Sequence, residues 1–216
     1  MDKLGHMYSS FQISSIGSRA LQWSGVSKNK SDLSGAITSF AIMSSIEILD
    51  GFSAEYGASA TDLAANAVGS GFFLGQNLLW NEVRIYPKYS FHQTPFAGQR
   101  PETLGDGLLQ EIIKDYNGQT IWLSVDIDKF MKFPKWLNLA VGYGAENMIY
   151  ANDLQNIEQG LYPYRQLYLS LDFDLTAIKS RSKVVNTLIY LANMIKLPAP
   201  AIEFSQGKPK AHIFYY

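Results

Sequence analysis

The feature that most limits how this chain can fold is a set of acidic and amide residues set into segments rich in Ser, Ala and Gly. Asp2-Lys3-Leu4-Gly5-His6 opens the chain, Glu47-Ile48-Leu49-Asp50 follows, and Asp62 and Asn66 come four residues apart in a third segment. Small residues such as Gly35, Ala36 and Ser39, and later Ala65 and Gly69, recur at three- and four-residue spacing, which lets helix backbones approach closely. A carboxylate inside such a contact is costly unless it is paired or solvated. The sequence therefore predicts a tight helical bundle whose acids are met by one another, by Lys3 and His6, or by a bound ligand.

Helical periodicity covers residues 3–24, where Leu4, Met7, Tyr8 and Phe11 alternate with serines. A second helix is expected from a cap at Ser31 or Asp32 to about residue 49, with Gly51 as its stop. A connector over 52–59 leads to a third helix, capped by Ser59 or Thr61 and running to about residue 83. Residues 63–80 carry no formal charge over 18 positions, close to the lower length of a membrane span, while Asn66, Gln76, Asn77 and the glycines weaken that reading. A tight soluble bundle and a bundle in contact with a membrane stay level at this point.

Beyond residue 86 the character changes. Residues 87–101 are Pro-bounded and aromatic and read as a long loop, and 104–116 holds a short helix. After the Asn117-Gly118 turn signal, strand patterns cover 120–130, 137–149, 164–178, 201–205 and 210–216, with one helix at 183–195. Helices first and strands later predict an α+β fold: an N-terminal small-residue helical bundle packed with a C-terminal antiparallel sheet of about five strands. The expected division is a helical region at 1–86, a Pro/aromatic connector with a short helix at 87–119, and a mainly β region at 120–216. On two strands Asp126, Asp128, Asp172 and Asp174 alternate with apolar residues, the pattern of a solvated acidic face opposite a packed one.

Composition narrows the function classes. Charged residues make up 17%, against about 25% in a typical soluble domain, and aromatics reach 13%, so part of the surface is expected to be covered by something other than water. Net charge is −1, which gives a nucleic-acid backbone nothing to bind. The GYGAENM segment lacks the Lys-Ser/Thr of a phosphate loop, which argues against a nucleotide. There is no cysteine, so disulfides, thiolate metal sites and Cys nucleophiles are excluded. The aromatic end Ile213-Phe214-Tyr215-Tyr216 is of the kind that outer-membrane barrels carry, but about five strands fall short of the eight at which such barrels begin.

The opening Asp2-Lys3-x-x-His6, then Glu47-x-x-Asp50, then Ser59-Ala-Thr-Asp62-Leu63-Ala64-x-Asn66-x-x-Gly69 resembles the YfiM-like domains of unknown function, over roughly residues 2–75. More distantly it is similar to VanZ-like membrane proteins. The segments GFSAEYGAS, DYNGQTIWLS, WLNLAVGYGAENM and PAPAIEF look like a long form from Bacteroidetes. The resemblance implies an exported protein of the cell envelope, periplasmic or outer-membrane-associated, with a signal sequence absent from this chain, which itself opens on a charged pair. It implies no reaction.

The candidate polar cluster is Asp2, Lys3, His6, Glu47, Asp50, Asp62 and Asn66. Asp2 and His6, Glu47 and Asp50, and Asp62 and Asn66 each share a helix face by spacing, so three helices can bring three polar pairs together. A structural network is the leading reading, with Lys3 to Glu47 or Asp50, His6 to Asp62, Asn66 to a backbone carbonyl, and a buried Glu47 whose expected partners are Lys3 and His6. A His among carboxylates also suits a divalent metal or acid–base chemistry. No catalytic residue is assigned and no cofactor is required, with a divalent metal left open. His212, alone in the last strand, reads as a surface or satisfied residue. The expected function is a non-enzymatic envelope component, structural or partner-binding, whose partners are envelope proteins or a membrane surface. The alternative is a membrane-proximal metal-binding protein or enzyme using the cluster.

Overall fold

The structure, a computed structural model, describes residues 1–52, 57–150 and 152–215. Part of the expected 52–59 connector and the terminal Tyr216 lie outside the described residues. The chain divides into two compact units, Asp2–Arg84 and Ile85–Tyr216.

The first unit is three helices: α1 (Asp2–Trp23), α2 (Lys28–Asp50) and α3 (Ala60–Trp80). Ser59 caps α3 by accepting the Asp62 backbone N–H at 3.2 Å, and Asn81 ends it in a left-handed conformation (φ 57°). The expected caps Ser31 and Asp32 instead lie inside α2, buried, because the helix begins four residues earlier behind Ser27. Two glycines set the helix spacing. A Cβ on Gly35 would lie 2.5 Å from the Ser14 carbonyl oxygen of α1, and one on Gly69 would lie 2.2 Å from the Met7 carbonyl oxygen. Only a residue without Cβ lets α2 and α3 come so near α1. A small apolar centre of Phe11, Ala36 and Phe73 sits among these contacts, with Phe11 and Phe73 edge to face at 5.8 Å.

The bundle's polarity is reversed. The buried face of α2 is Ser31, Asp32, Gly35, Ala36, Ser39, Met43 and Glu47, while Leu33, Ile37, Phe40, Ile46, Ile48 and Leu49 are exposed. In α3 Asp62, Asn66, Ser70 and Gln76 face inward and Leu63, Val68, Leu78 and Leu79 face outward. Among the described residues α2 is the one helix long and apolar enough to cross a membrane, with a best-window mean hydropathy of 1.3.

The second unit is a six-stranded antiparallel meander among the described residues, in the order β1-β2-β3-β4-β5-β6. The strands are β1 (Ile85–Phe91), β2 (Gln119–Val125), β3 (Leu137–Glu146), β4 (Tyr164–Phe173), β5 (Ala199–Ser205) and β6 (Lys208–Tyr215). The sixth strand, β1, occupies the start of the expected loop at 87–101. Pro87 signals a loop, but a proline is tolerated on an edge strand, where its missing N–H breaks no ladder, and here it pairs in register with Leu123. Among the described residues four α-helices punctuate the loops: α4 (Pro101–Leu104), α5 (Leu108–Lys114), α6 (Asp153–Glu158) and α7 (Lys183–Ala192).

The sheet is reversed as well, which corrects the expected solvated acidic face. In β4 Gln166, Tyr168, Ser170 and Asp172 are buried, and Leu167, Leu169 and Leu171 are exposed. The sheet curls around its polar side. Lys88 on β1 reaches Asp172 on β4 at 2.6 Å, although a flat sheet would hold strands three places apart at about 14 Å. Ser124 of β2 donates to Asp172 at 2.6 Å, and the Trp122 and Tyr168 rings lie 5.6 Å apart. Lys88 and Asp172 are both fully buried, and Lys88 also donates to the Phe173 carbonyl at 2.9 Å and to Asn193 at 3.0 Å. Asp126 and Asp174 are buried too, just past the ends of β2 and β4. Of the two expected roles His212 takes that of a satisfied residue, since its Nε2 lies 2.8 Å from the buried Glu203 carboxylate.

Candidate functional site

The helical unit gathers most of the predicted cluster at one end of the bundle. The first turns of α1 and α3 and the last turn of α2 meet there, because α2 runs antiparallel to α1 while α3 runs parallel to it. Lys3 makes an ion pair with Asp62 and another with Asp2 at 3.0 Å. His6 offers Nδ1 to Asn66 Oδ1 at 3.1 Å and Nε2 to Glu47 at 3.5 Å and Asp2 at 3.8 Å. Asn66 Oδ1 also accepts from Ser10 Oγ at 3.2 Å. Glu47 is buried, and its Oε2 accepts the Ser59 backbone N–H at 3.3 Å, tying the end of α2 to the cap of α3.

The pairing differs from the expected one. Lys3 takes Asp62 in place of Glu47 or Asp50, and His6 takes Asn66 in place of Asp62 while keeping its expected partner Glu47. Parallel α1 and α3 bring their first turns level, so the residue in the first turn of one helix meets its counterpart in the other. Asp50 is partly exposed, and among the described residues no hydrogen bond or ion pair joins it to the cluster. Asn66 makes side-chain hydrogen bonds, not a bond to a backbone carbonyl.

The electrostatics follow the geometry. The hydrogen bond to Asp62 raises the Lys3 ammonium above its usual range against a smaller opposing effect of burial. Burial pushes the Asp62 carboxyl up, and Lys3 and the Ser59 hydroxyl outweigh it, so the net shift is downward. Both groups are therefore held in their charged forms. Asp2, His6 and Asp62 offer ligand atoms within 4.8 Å of one another, a spread that modest side-chain movement closes around a divalent ion. The Lys3 ammonium, however, already lies against two of these three groups.

Sequence reasoning missed two further polar layers. In mid-bundle Ser39 and Ser14 both donate to the Ser10 carbonyl, at 2.6 and 2.7 Å. At the far end Asp32 accepts from Ser18 at 2.5 Å and from Lys28 at 2.6 Å, and Lys28 also donates to Asn77 at 2.8 Å. The available signals were the i,i+4 spacing of Lys28 and Asp32 and Asn77 in the uncharged run 63–80.

Every polar contact of these layers comes from residues 2 to 77. Residues 1–77 match the family described as Predicted periplasmic lipoprotein (DUF2279). The match supports an uncharacterised, envelope-associated family and a periplasmic or envelope location; it carries neither the YfiM-like nor the VanZ-like name. No curated protein and no solved structure matches the chain.

Proposed function

We propose that this protein is a non-enzymatic component of the cell envelope, structural or partner-binding, and that its helical unit seats it at a membrane. The observation that carries this reading is the reversed polarity of α2 and α3: Ile37 and Ile48 are 59% and 62% exposed while Asn66 is fully buried. In water that arrangement forfeits the main driving force of folding. Against hydrocarbon the outward apolar faces lose nothing, and each inward polar layer makes hydrogen bonds or ion pairs within the protein, although Asn66 Nδ2 and Ser70 Oγ are buried without a partner. Polar residues inside a membrane bundle are functional by default, and here their support is structural: they bond one helix to the next. The test is extraction of native membranes with high-pH carbonate. Retention in the membrane pellet is expected, and release into the wash overturns the reading.

A second reading has one observation behind it, the grouping of Asp2, His6 and Asp62 within 4.8 Å. These residues would hold a divalent cation that displaces Lys3. Titration of the wild type and of Lys3→Met with Zn²⁺ and Mg²⁺ tests it. Binding to the wild type supports the metal site, binding to Lys3→Met alone makes Lys3 the resident cation, and no heat from either protein ends this reading.

A further inference from the structure

We infer that the outer face of the C-terminal sheet contacts the acyl chains of a bilayer, so that this unit presents a lipid-facing wall over a polar interior, with six strands among the described residues where a complete outer-membrane barrel has at least eight. The inference rests on the reading of the protein as a membrane-seated envelope component, and it concerns a part of the chain that the family match does not cover.

The ladders align the outward side chains in rows. Leu123, Val141, Leu169 and Ile202 form one row across β2 to β5. Val125, Leu139 and Leu171 form the next, and Tyr143, Leu167 and Phe204 a third. Leu139, Val141, Leu167, Leu169, Ile202 and Phe204 are all more than a third exposed. No Asp, Glu, Lys or Arg occupies these three rows. The first outward charge is Arg165, one step beyond Leu167.

Three observations choose lipid as the occupant. First, the packing side of this sheet is already used: its concave face closes on the buried pair of Lys88 and Asp172, on Trp122 and on Tyr168. A soluble sheet hides its apolar face and wets its polar one, and this sheet does the opposite, as the wall of a membrane barrel does. Second, the two central strands β3 and β4 have ten residues each, within the about 9–11 that a bilayer-crossing strand needs, while β1, β2 and β5 have seven and β6 eight. Third, the apolar rows are bounded by aromatics at both ends. Trp136 stacks on Phe173 at 6.1 Å beyond one margin, and Tyr143 and Phe204 form the other, the placement of interfacial girdles.

Because the chain has no cysteine, single cysteines give unique spin-label sites. The full protein, carrying Val141→Cys, Leu169→Cys or Ile202→Cys, is reconstituted in vesicles of phosphatidylethanolamine and phosphatidylglycerol. Arg165→Cys serves as the margin and Ile37→Cys as the report on the helical unit. A variant that loses the wild-type circular dichroism is replaced by Leu139→Cys or Phe204→Cys on the same face. The inference expects collisions with molecular oxygen to exceed those with a water-soluble nickel chelate at the three sheet positions, with the ratio reversing at Arg165. Nickel-dominated sheet positions with an oxygen-dominated Ile37 overturn this inference and leave the proposed function standing. Nickel dominance at Ile37 as well removes both. Shielding of the sheet positions from both reagents, with immobilised labels, shows that protein covers the face and also overturns the lipid assignment.

Discussion

Gly69 and Gly71 lie two residues apart in α3 and offer a paired test of how this bundle is held together. Replacing either by Ala removes the same backbone freedom and adds the same methyl group, and each gains up to about 1 kcal/mol in helix propensity. The surroundings differ. At Gly71 nothing lies within 4 Å of the new Cβ, whereas at Gly69 it would meet the Met7 carbonyl oxygen at 2.2 Å and Ser10 Cβ at 2.9 Å. The carbonyl belongs to helix backbone and cannot turn aside, so α3 must retreat from α1 by about 1 Å to restore an ordinary contact. Overpacking of this kind costs about 1–3 kcal/mol. The retreat also stretches two bonds that cross the same interface, His6 to Asn66 at 3.1 Å and Ser10 to Asn66 at 3.2 Å, at about 1 kcal/mol each. The sum less the propensity gain leaves Gly69→Ala destabilised by about 2–4 kcal/mol, while Gly71→Ala is stabilised by about 0.5–1 kcal/mol. Chemical unfolding of the purified protein in detergent, followed by far-ultraviolet circular dichroism, measures both. If Gly69→Ala moves in the same direction as Gly71→Ala, the close approach of α3 to α1 is wrong, and with it the geometry of the polar layer beside it.

Three further outcomes are expected from the same measurement. Glu47→Ala should destabilise by about 1–3 kcal/mol, since it leaves the Ser59 N–H without its acceptor while His6 keeps Asn66; Glu47→Gln should cost less. Lys88→Met should cost about 3–5 kcal/mol by removing the ammonium in contact with the buried Asp172, and the double variant Lys88→Met with Asp172→Leu should recover part of that loss, since Lys196 then loses the carboxylate that favours its charge. Burial, then Asp128 and Asp174, push the Asp126 carboxyl up to about 7 from 3.8. The folded protein therefore holds a proton that the unfolded chain has released, so this contribution is complete below about pH 4 and is lost as pH rises through about 7. A pH series on Asp126→Asn should show that slope flattened.

Periodicity made the elements legible without saying which side of each faced inward. The 3.6-residue repeat of α2 and the two-residue repeat of β4 identify a helix and a strand whichever face is buried. The assumption that Leu167, Leu169 and Leu171 point inward came from the behaviour of soluble sheets. Asp172 decides otherwise, because its partner Lys88 lies 84 residues earlier in the sequence and on a strand that Pro87 had disguised as loop. In the helices, the identity of the cluster could be read from spacing, since Asp2, His6, Asp62 and Asn66 recur at helical intervals. Its pairing could not, because whether Lys3 meets Asp62 or Glu47 depends on which helices run parallel. The far layer of Ser18, Lys28, Asp32 and Asn77 was hidden because serine and amide side chains carry little pattern of their own until a neighbouring helix supplies the partner.

Three of the buried carboxylates share one property that bears on what the molecule requires from its surroundings. Asp62 is met by Lys3, Asp32 by Lys28 and Asp172 by Lys88. A buried carboxylate without such a partner would call for a metal ion or would keep its proton. Each of these three has an ammonium from the same chain against it, whereas the buried Asp126, beside Asp128 and Asp174, takes the other course and is pushed toward its protonated form. The outside is different. Leu, Ile and Phe side chains stand exposed along α2, α3 and the convex face of the sheet, in continuous faces and rows, not as the scattered single residues that water tolerates at little cost. The unmet requirement of this chain is apolar contact, and that is why the arrangement points to a membrane or an envelope partner before it points to a reaction.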